Sequence, residues 1–387
     1  MRIDCERHGL LEACRVASSV ISGSTVVKPV LANFLLNVSH DSVTVTAMSP
    51  SMEYGVCVEV KGVAVTERGV GLVSASKLTA ILREMPDDRV LIEVDMDAAM
   101  VKGAASEFEL PTDDPAKFPD MPQFKAGEDA HHRISAERFR WLVSRTTFAV
   151  AAAAHSRFGA TTGVRIRAGE DGAIEFAATD GRQAAIAEAI GESIGGHSTS
   201  KYDRVVPPTV LTLAQQCLVD DAESVLFAIK PESIVIRTDR ATIYARLIEG
   251  RFPDVQATIP KRYHGGMTVT PKSLAQATKQ ASLMAGEGSR RVVLSIDYRS
   301  SAIQLRAQGA DVGRASVGLS VSGRCDDADV VTVSLSSKFL GKALAATDDA
   351  EMDFMVPSLV ENKVAGPVVF TSPGWKYILV PIFEVSE

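Results

Sequence analysis

Residues 5–21, CERHGLLEACRVASSVI, decide how this chain is to be read, because residues 134–150 and 269–285 repeat their pattern. An apolar or small side chain recurs at matched offsets in all three: Leu10/Ala13/Ala17/Val20, Phe139/Leu142/Thr146/Ala149 and Leu274/Ala277/Ala281/Met284. Spacings of i, i+3, i+7 and i+10 gather on one face of an α-helix. A short alternating stretch precedes each helix, at residues 2–5, 132–135 and 267–270, and reads as a strand. The unit is strand then helix, met three times at intervals of about 130 residues. A threefold duplication is the economical explanation.

The remainder of each interval agrees. Strand-like pairs follow at residues 34–47, 163–177 and 292–307, broken by polar turns such as Ser39-His40-Asp41 and Gly169-Glu170-Asp171-Gly172. Second helical windows at 74–85, 207–219 and 334–347 keep Leu78, Leu211 and Leu340 in register. Two further strand-like runs close each unit, for example residues 89–94 and 107–110. The first two units end on one phrase, Lys117-Phe118-Pro119-Asp120 and Arg251-Phe252-Pro253-Asp254. Proline there bars a ladder hydrogen bond, so the phrases read as punctuation between domains of residues 1–125, 126–262 and 263–387.

A chain of 387 residues is too long for one core and comfortable for three. It has no uncharged apolar run of membrane-spanning length and no signal-peptide pattern at its start. Cys5, Cys14, Cys57, Cys217 and Cys325 are odd in number and scattered, which points to reduced thiols in a cytoplasmic protein.

The net charge is −7, yet sign is unevenly distributed. The six helical windows hold about ten Lys or Arg (Arg15, Lys77, Arg83, Arg138, Arg140, Arg145, Lys272, Lys279, Lys338, Lys342) against about three acids (Glu12, Glu84, Glu137). Arg15, Lys272 and Lys279 fall opposite the apolar stripes of their helices, with Arg138 and Arg145 at the flank. For one helix, a solvated face is the plain reading. Repeated across the units, the segregation suits a surface held against a polyphosphate.

Catalytic patterns are missing: there is no phosphate-binding glycine loop, nucleophile elbow or zinc-protease motif. His131-His132 reads as a solvated linker, residues 195–200 (GGHSTS) as a flexible loop, and Asp180 as a turn residue. No metal and no cofactor is expected, and an enzyme of this length without one convergent polar constellation is improbable.

Four phrases carry a resemblance: Lys28-Pro29-Val30-Leu31-Ala32-Asn33-Phe34-Leu35-Leu36, Ala178-Thr179-Asp180-Gly181-Arg182, Gly250-Arg251-Phe252-Pro253-Asp254 and Tyr377-Ile378-Leu379-Val380-Pro381-Ile382. In this order on a threefold repeat, the chain resembles the β sliding clamps of bacterial DNA polymerase III over essentially its whole length. The resemblance implies an α+β fold of three repeated sliding-clamp (processivity-fold) domains. Each would pack two helices on antiparallel sheets, and the chain would form half of a closed, homodimeric ring around duplex DNA. A non-enzymatic role follows, with the replicative polymerase and clamp-loader subunits docking through short peptides. The implied DNA-facing residues are Arg15, Lys77, Arg83, Arg138, Arg145, Lys272, Lys279, Lys338 and Lys342. The implied peptide groove comprises Thr179, Gly181, Arg182, Gln183, Ala184, Pro253, Ala257, Thr258, Ile378, Val380, Pro381 and Ile382. At the implied dimer interface, Phe108 and Leu110 would meet Leu283 and Met284 of the other chain.

The chain departs from the family pattern in several places. Gln183-Ala184 stand where many clamps have arginine and leucine, Ala257 and Thr258 where basic or larger apolar residues occur, and a leucine is replaced within Gly159-Ala160-Thr161. Pro207-Pro208 replace a basic pair, and Phe383 to Glu387 run past the usual end. A clamp-like paralogue with altered partners is one competing reading. An enzyme would concentrate acids or histidines in a single unit, and a purely protein-binding repeat would lack the helical Lys and Arg.

Overall fold

The computed structural model describes residues 1–387 except 22–27, 126, 153, 155–158, 200–202, 220–222, 287–289, 310–312, 325–329, 361–362 and 384–387. Of the sequence readings, Cys325, Ser200 and the extension beyond Phe383 lie outside the described residues. The first repeat runs β1 (Arg2–Glu6), α1 (Arg7–Ile21), β2 (Asn33–Val38), β3 (Ser42–Met48), β4 (Tyr54–Lys61), β5 (Ala64–Glu67), β6 (Gly69–Ser74), α2 (Ala75–Glu84), β7 (Arg89–Val94), β8 (Ala98–Lys102) and β9 (Glu107–Pro111). The second runs β10 (His131–Ser135), α3 (Ala136–Thr146), β11 (Val164–Ala168), β12 (Ala173–Thr179), β13 (Gln183–Ile190), β14 (Glu192–Ile194), β15 (Arg204–Val206), α4 (Pro208–Gln216), β16 (Ser224–Ile229), β17 (Ser233–Arg237) and β18 (Ala241–Arg246). The third runs β19 (Tyr263–Val269), α5 (Pro271–Ser282), β20 (Arg291–Asp297), β21 (Ala302–Gly309), β22 (Gly313–Ser320), β23 (Ser322–Arg324), β24 (Val331–Ser336), α6 (Ser337–Ala345), β25 (Met352–Pro357), the hairpin β26 (Leu359–Val360) and β27 (Lys363–Val364), β28 (Val368–Ser372) and β29 (Trp375–Leu379).

The helices form where the apolar period demanded them. Leu10, Ala13, Ala17 and Val20 of α1, Phe139 and Leu142 of α3, and Leu274, Ala277 and Ala281 of α5 are all buried. Strands number more than the sequence reading allowed. Three strands close each unit instead of two, because Ala98-Ala99-Met100-Val101-Lys102 also pairs, between β7 and β9. Paired alanines have weak intrinsic strand preference, so neighbours on both sides decide this element.

Each repeat divides its strands into a five-stranded and a four-stranded set. The first keeps β5-β1-β7-β8-β9 as a free-standing sheet, while its β4-β3-β2-β6 joins β14-β10-β16-β17-β18 of the second through β4 and β18. The second's β15-β11-β12-β13 joins β29-β28-β25-β19-β23 of the third through β13 and β29. The third leaves β22-β21-β20-β24 free-standing. Two nine-stranded sheets thus cross the repeat boundaries, and a five-stranded and a four-stranded sheet remain at opposite ends of the sequence.

Two sequence readings are corrected by burial. His131 and His132 are not a solvated linker but buried on β10. His197, expected in a flexible loop, is buried with them, and Thr199 exchanges hydrogen bonds with Ala168. His197 Nε2 lies 3.0 Å from the backbone nitrogen and 3.2 Å from the carbonyl oxygen of Ile229, and its Nδ1 lies 2.6 Å from Nδ1 of His132. His132 then donates from Nε2 to the Gly169 carbonyl at 3.0 Å. Burial lowers both pKa values, that of His197 to about 4, and with both rings neutral His197 Nδ1–H donates to His132 while its Nε2 accepts from the Ile229 N–H.

Candidate nucleic-acid interface and peptide groove

The helices follow one another across the repeats. α1 packs on α2, α3 on α4 and α5 on α6. Across the boundaries, Ser19 and Val20 of α1 share a concavity of about 460 Å³ with Thr209, Leu213 and Gln216 of α4. The 3-10 turn Thr147–Ala149 after α3 contacts α6. The order in space is therefore α2, α1, α4, α3, α6, α5. Within it Arg15, Lys77, Arg83, Arg138, Lys272, Lys279, Lys338 and Lys342 are all exposed. Only Glu12, Glu84 and Glu137 oppose them in the helical segments, and Glu12 is already paired with Arg15.

Arg145 does not belong to this face. Its side chain is 1% exposed, and its guanidinium stacks 5.4 Å from the Trp141 ring and 5.1 Å from the Trp375 ring. It donates to Asp348 and Asp349 at 3.0 Å each, while Trp375 Nε1 donates to its carbonyl. The residue ties α3 to the third repeat. A helical period places Arg145 at the flank of the stripe, and only the third repeat's aspartates and Trp375 cover that flank. Arg140 is also engaged, through the Val219 carbonyl at 2.9 Å.

The groove residues converge where β13 pairs with β29. Ala184 lies opposite Ile378 and Gln183 opposite Leu379, and Val380 N–H donates to the Arg182 carbonyl at 3.0 Å. The preceding turn is fixed by its own side chains. Thr179 Oγ1 receives Gly181 N–H, Asp180 Oδ1 receives the N–H groups of Arg182 and Gln183, and Gly181 adopts φ +84°. Asp180 is thus the turn residue its position suggested. Gly181, Arg182, Ala257, Thr258 and Val380 are exposed, Pro253 and Ile382 half-buried, and Thr179 and Pro381 buried. Ala184 and Ile378 form the floor, in a satellite apolar cluster with Ala177, Ile186, Phe252 and Val255.

Gln183 is a correction to the groove set. It is 3% exposed, with its amide nitrogen donating to Asp180 at 2.9 Å and its oxygen receiving the Tyr377 hydroxyl at 2.9 Å. Its side chain is buried and joins the second and third repeats rather than lining the groove surface. Conversely, Arg165 escaped the sequence reading. It is buried under the Phe252 ring at 5.0 Å and pairs with Glu175, which also receives Gln256 Nε2 at 3.1 Å. That network anchors the 3-10 turn Gln256–Thr258 bearing Ala257 and Thr258. Alternation along β11 puts Arg165 on the outer face; the Phe252 phrase, far along the chain, covers it.

The remaining named residues sit at the two free sheets. Phe108 (38% exposed) and Leu110 (8%) share one face of β9, the last strand of the five-stranded sheet. Leu283 (68% exposed) and half-buried Met284 follow α5, which packs on β22, the last strand of the four-stranded sheet. Within one chain they do not meet.

Family models match this arrangement in order: the DNA polymerase III beta subunit N-terminal domain over residues 1–122, and its central domain over residues 133–254. The chain belongs to the DNA polymerase III beta subunit family. Among curated relatives, the beta sliding clamp of Bacillus subtilis is 23% identical over 363 residues, spanning 91% of this chain and 92% of that one. The beta sliding clamp of Caulobacter vibrioides is 23% identical over 392 residues, spanning 99% and 100%. Among solved structures, the Bacillus subtilis DNA polymerase sliding clamp superposes with a TM-score of 0.88 at 22% identity, covering 99% of each chain. The Pseudomonas aeruginosa beta subunit superposes at 0.86 with 20% identity, covering 99% of this chain and all of that one. The fold is therefore the sliding-clamp fold, held in common at a fifth of the residues.

Proposed function

We propose that the chain is a DNA sliding clamp: two copies close head to tail into a ring around duplex DNA and tether the replicative polymerase. The repeats are taken as domains of residues 1–125, 126–262 and 263–387. The observation that carries the reading is the joint geometry of helices and sheets. Eight exposed Lys and Arg lie along one succession of six helices in a chain of net charge −7, while a five-stranded and a four-stranded sheet stay open at its ends. Enclosure holds DNA without reading bases, so phosphate contacts that release counterions suffice.

The family is a non-catalytic one, and no activity of its own is assigned to this chain. Opening of the ring would fall to a separate ATPase. Peptides of polymerase and loader would dock on Val380, Pro381, Ile382 and Pro253 above the Ala184–Ile378 floor, with Arg182 and the Gly181 turn offering polar contacts. Among the described residues no helix is long and apolar enough to cross a membrane, and we place the protein in the cytoplasm with DNA. The test is retention on circular DNA. After loading on a nicked circle the protein should co-elute with the DNA and be released when the circle is linearised. Equal retention on linear DNA would mean surface binding and would overturn enclosure.

A further inference from the structure

We propose that the ring seam is set by the register of the two junctions inside the chain, placing Glu109 of one copy opposite Arg314 of a second copy. The proposal rests on the ring reading and adds the pairing that closes it. In the second repeat one core-facing row runs His132, Phe227, Ile236, Ile243 across β10, β16, β17 and β18. It continues over the junction to Val56 and then Ala47. In the third repeat the corresponding row is Met267, Phe354, Phe370, Tyr377, continuing to Ala185 and then Ala178. Both junctions use one register.

The first repeat carries the same row, Ile3, Ile92, Val101, Phe108, and there it stops at the free edge β9. The third repeat carries the same ending, Ala315 paired with Ala307, at the free edge β22. Joining the edges in the shared register puts Phe108 against Ala315, a large side chain on a small one, as Tyr377 lies against Ala185. The neighbouring positions follow. Tyr244 faces Gly55 and Ile378 faces Ala184 at the internal junctions, so Glu109 faces Arg314 at the seam. Likewise Glu107 faces Ser316, whose partner on β21 is Arg306.

Charge supports this pairing. Glu109 and Arg314 are exposed, and among the described residues neither makes an ion pair or a side-chain hydrogen bond. Arg314, Arg306 and Arg291 border one depression of about 610 Å³ on the sheet ending in β22, while β9 presents Glu109 and Glu107, the latter already paired with Lys102 of β8 at 3.0 Å. Pairing β9 with β9 would set Glu109 among like charge, and β22 with β22 would do so for Arg314, so charge favours the head-to-tail union. At the internal junctions the equivalent pairs are uncharged; the seam that must open is the one built on salt-sensitive charge.

The experiment is charge reversal read by sedimentation. Glu109→Arg alone and Arg314→Glu alone should each raise the dimer Kd by about tenfold or more, since both seams then juxtapose like charges. Mixed in equal amounts, the two variants should dimerise like the parent, because one seam is swapped and the other native. A monomeric parent at micromolar concentration would overturn the ring reading itself; a dimeric parent with both variants unaffected would overturn only the register. As a readout independent of stability, the Glu109→Cys, Arg314→Cys chain should oxidise to a covalent dimer, whereas Glu109→Cys, Ala315→Cys, on opposite faces, should not. Failure of the first pair to cross-link would overturn the proposed pairing.

Discussion

Arg145 separates charge from function at the scale of a single residue. It is a helical arginine on a basic run, yet two indoles, two aspartates and its own carbonyl account for it completely. Arg145→Ala should cost about 3 kcal/mol in a urea titration, from a broken buried pair and lost cation–π contacts. The salt dependence of DNA binding should be unchanged by it. The His132–His197 pair sets a pH dependence. Both rings are neutral in the fold, His197 with a pKa of about 4, whereas an unfolded histidine titrates near 6.5. Between those values the unfolded chain binds more protons, so stability falls as pH is lowered from about 6.5 toward about 4 and levels off below. Urea midpoints at pH 7.5, 6 and 5 should trace that decline, and His197→Gln should make it shallower.

The two proposed binding surfaces are built from different elements. On the helices, Arg138, Lys279 and Lys342 are exposed and come from three different elements. Replacing all three by Ala should lower the log–log salt slope of binding to short duplexes by up to about 0.9 per lost contact, with sequence preference still absent. A parental slope would return these faces to the status of solvated helix surface. In the groove, Val380 is 42% exposed beside the Ala184–Ile378 floor. Burying a leucine or phenylalanine anchor there contributes about 1.5 to 3 kcal/mol. Val380→Asp should therefore weaken a fluorescently labelled polymerase or loader peptide at least about tenfold without altering dimerisation. Because Ala184, Ala257 and Thr258 leave room, an aromatic anchor should bind better than leucine in the same assay.

At the scale of the whole molecule, continuity of sheets is the organising fact. Four-stranded and five-stranded sets join twice within the chain, and the remaining pair of edges invites the third joint from a second copy. Leu283→Ala with Met284→Ala, beside β22, should weaken the dimer in sedimentation without disturbing the Ala184–Ile378 junction, since they flank only the open edge. The repeat, the strand-then-helix order and the apolar faces of α1, α3 and α5 were determined by the sequence alone, because periods of 3.6 and 2 are local properties of the backbone. So was the turn at Thr179 to Gln183, whose side chains bond their own backbone. The tertiary structure alone decided that Arg145 is a buried tie and Arg138 an exposed cation beside the Trp141 ring, that His131 and His132 are buried, and that Gln183 faces Tyr377 instead of the groove. It also decided which strand edges pair. In each case the deciding partner, Trp375, Asp349, His197, Tyr377 or β29, lies tens to hundreds of residues away, and burial depends on what arrives there rather than on the residue itself.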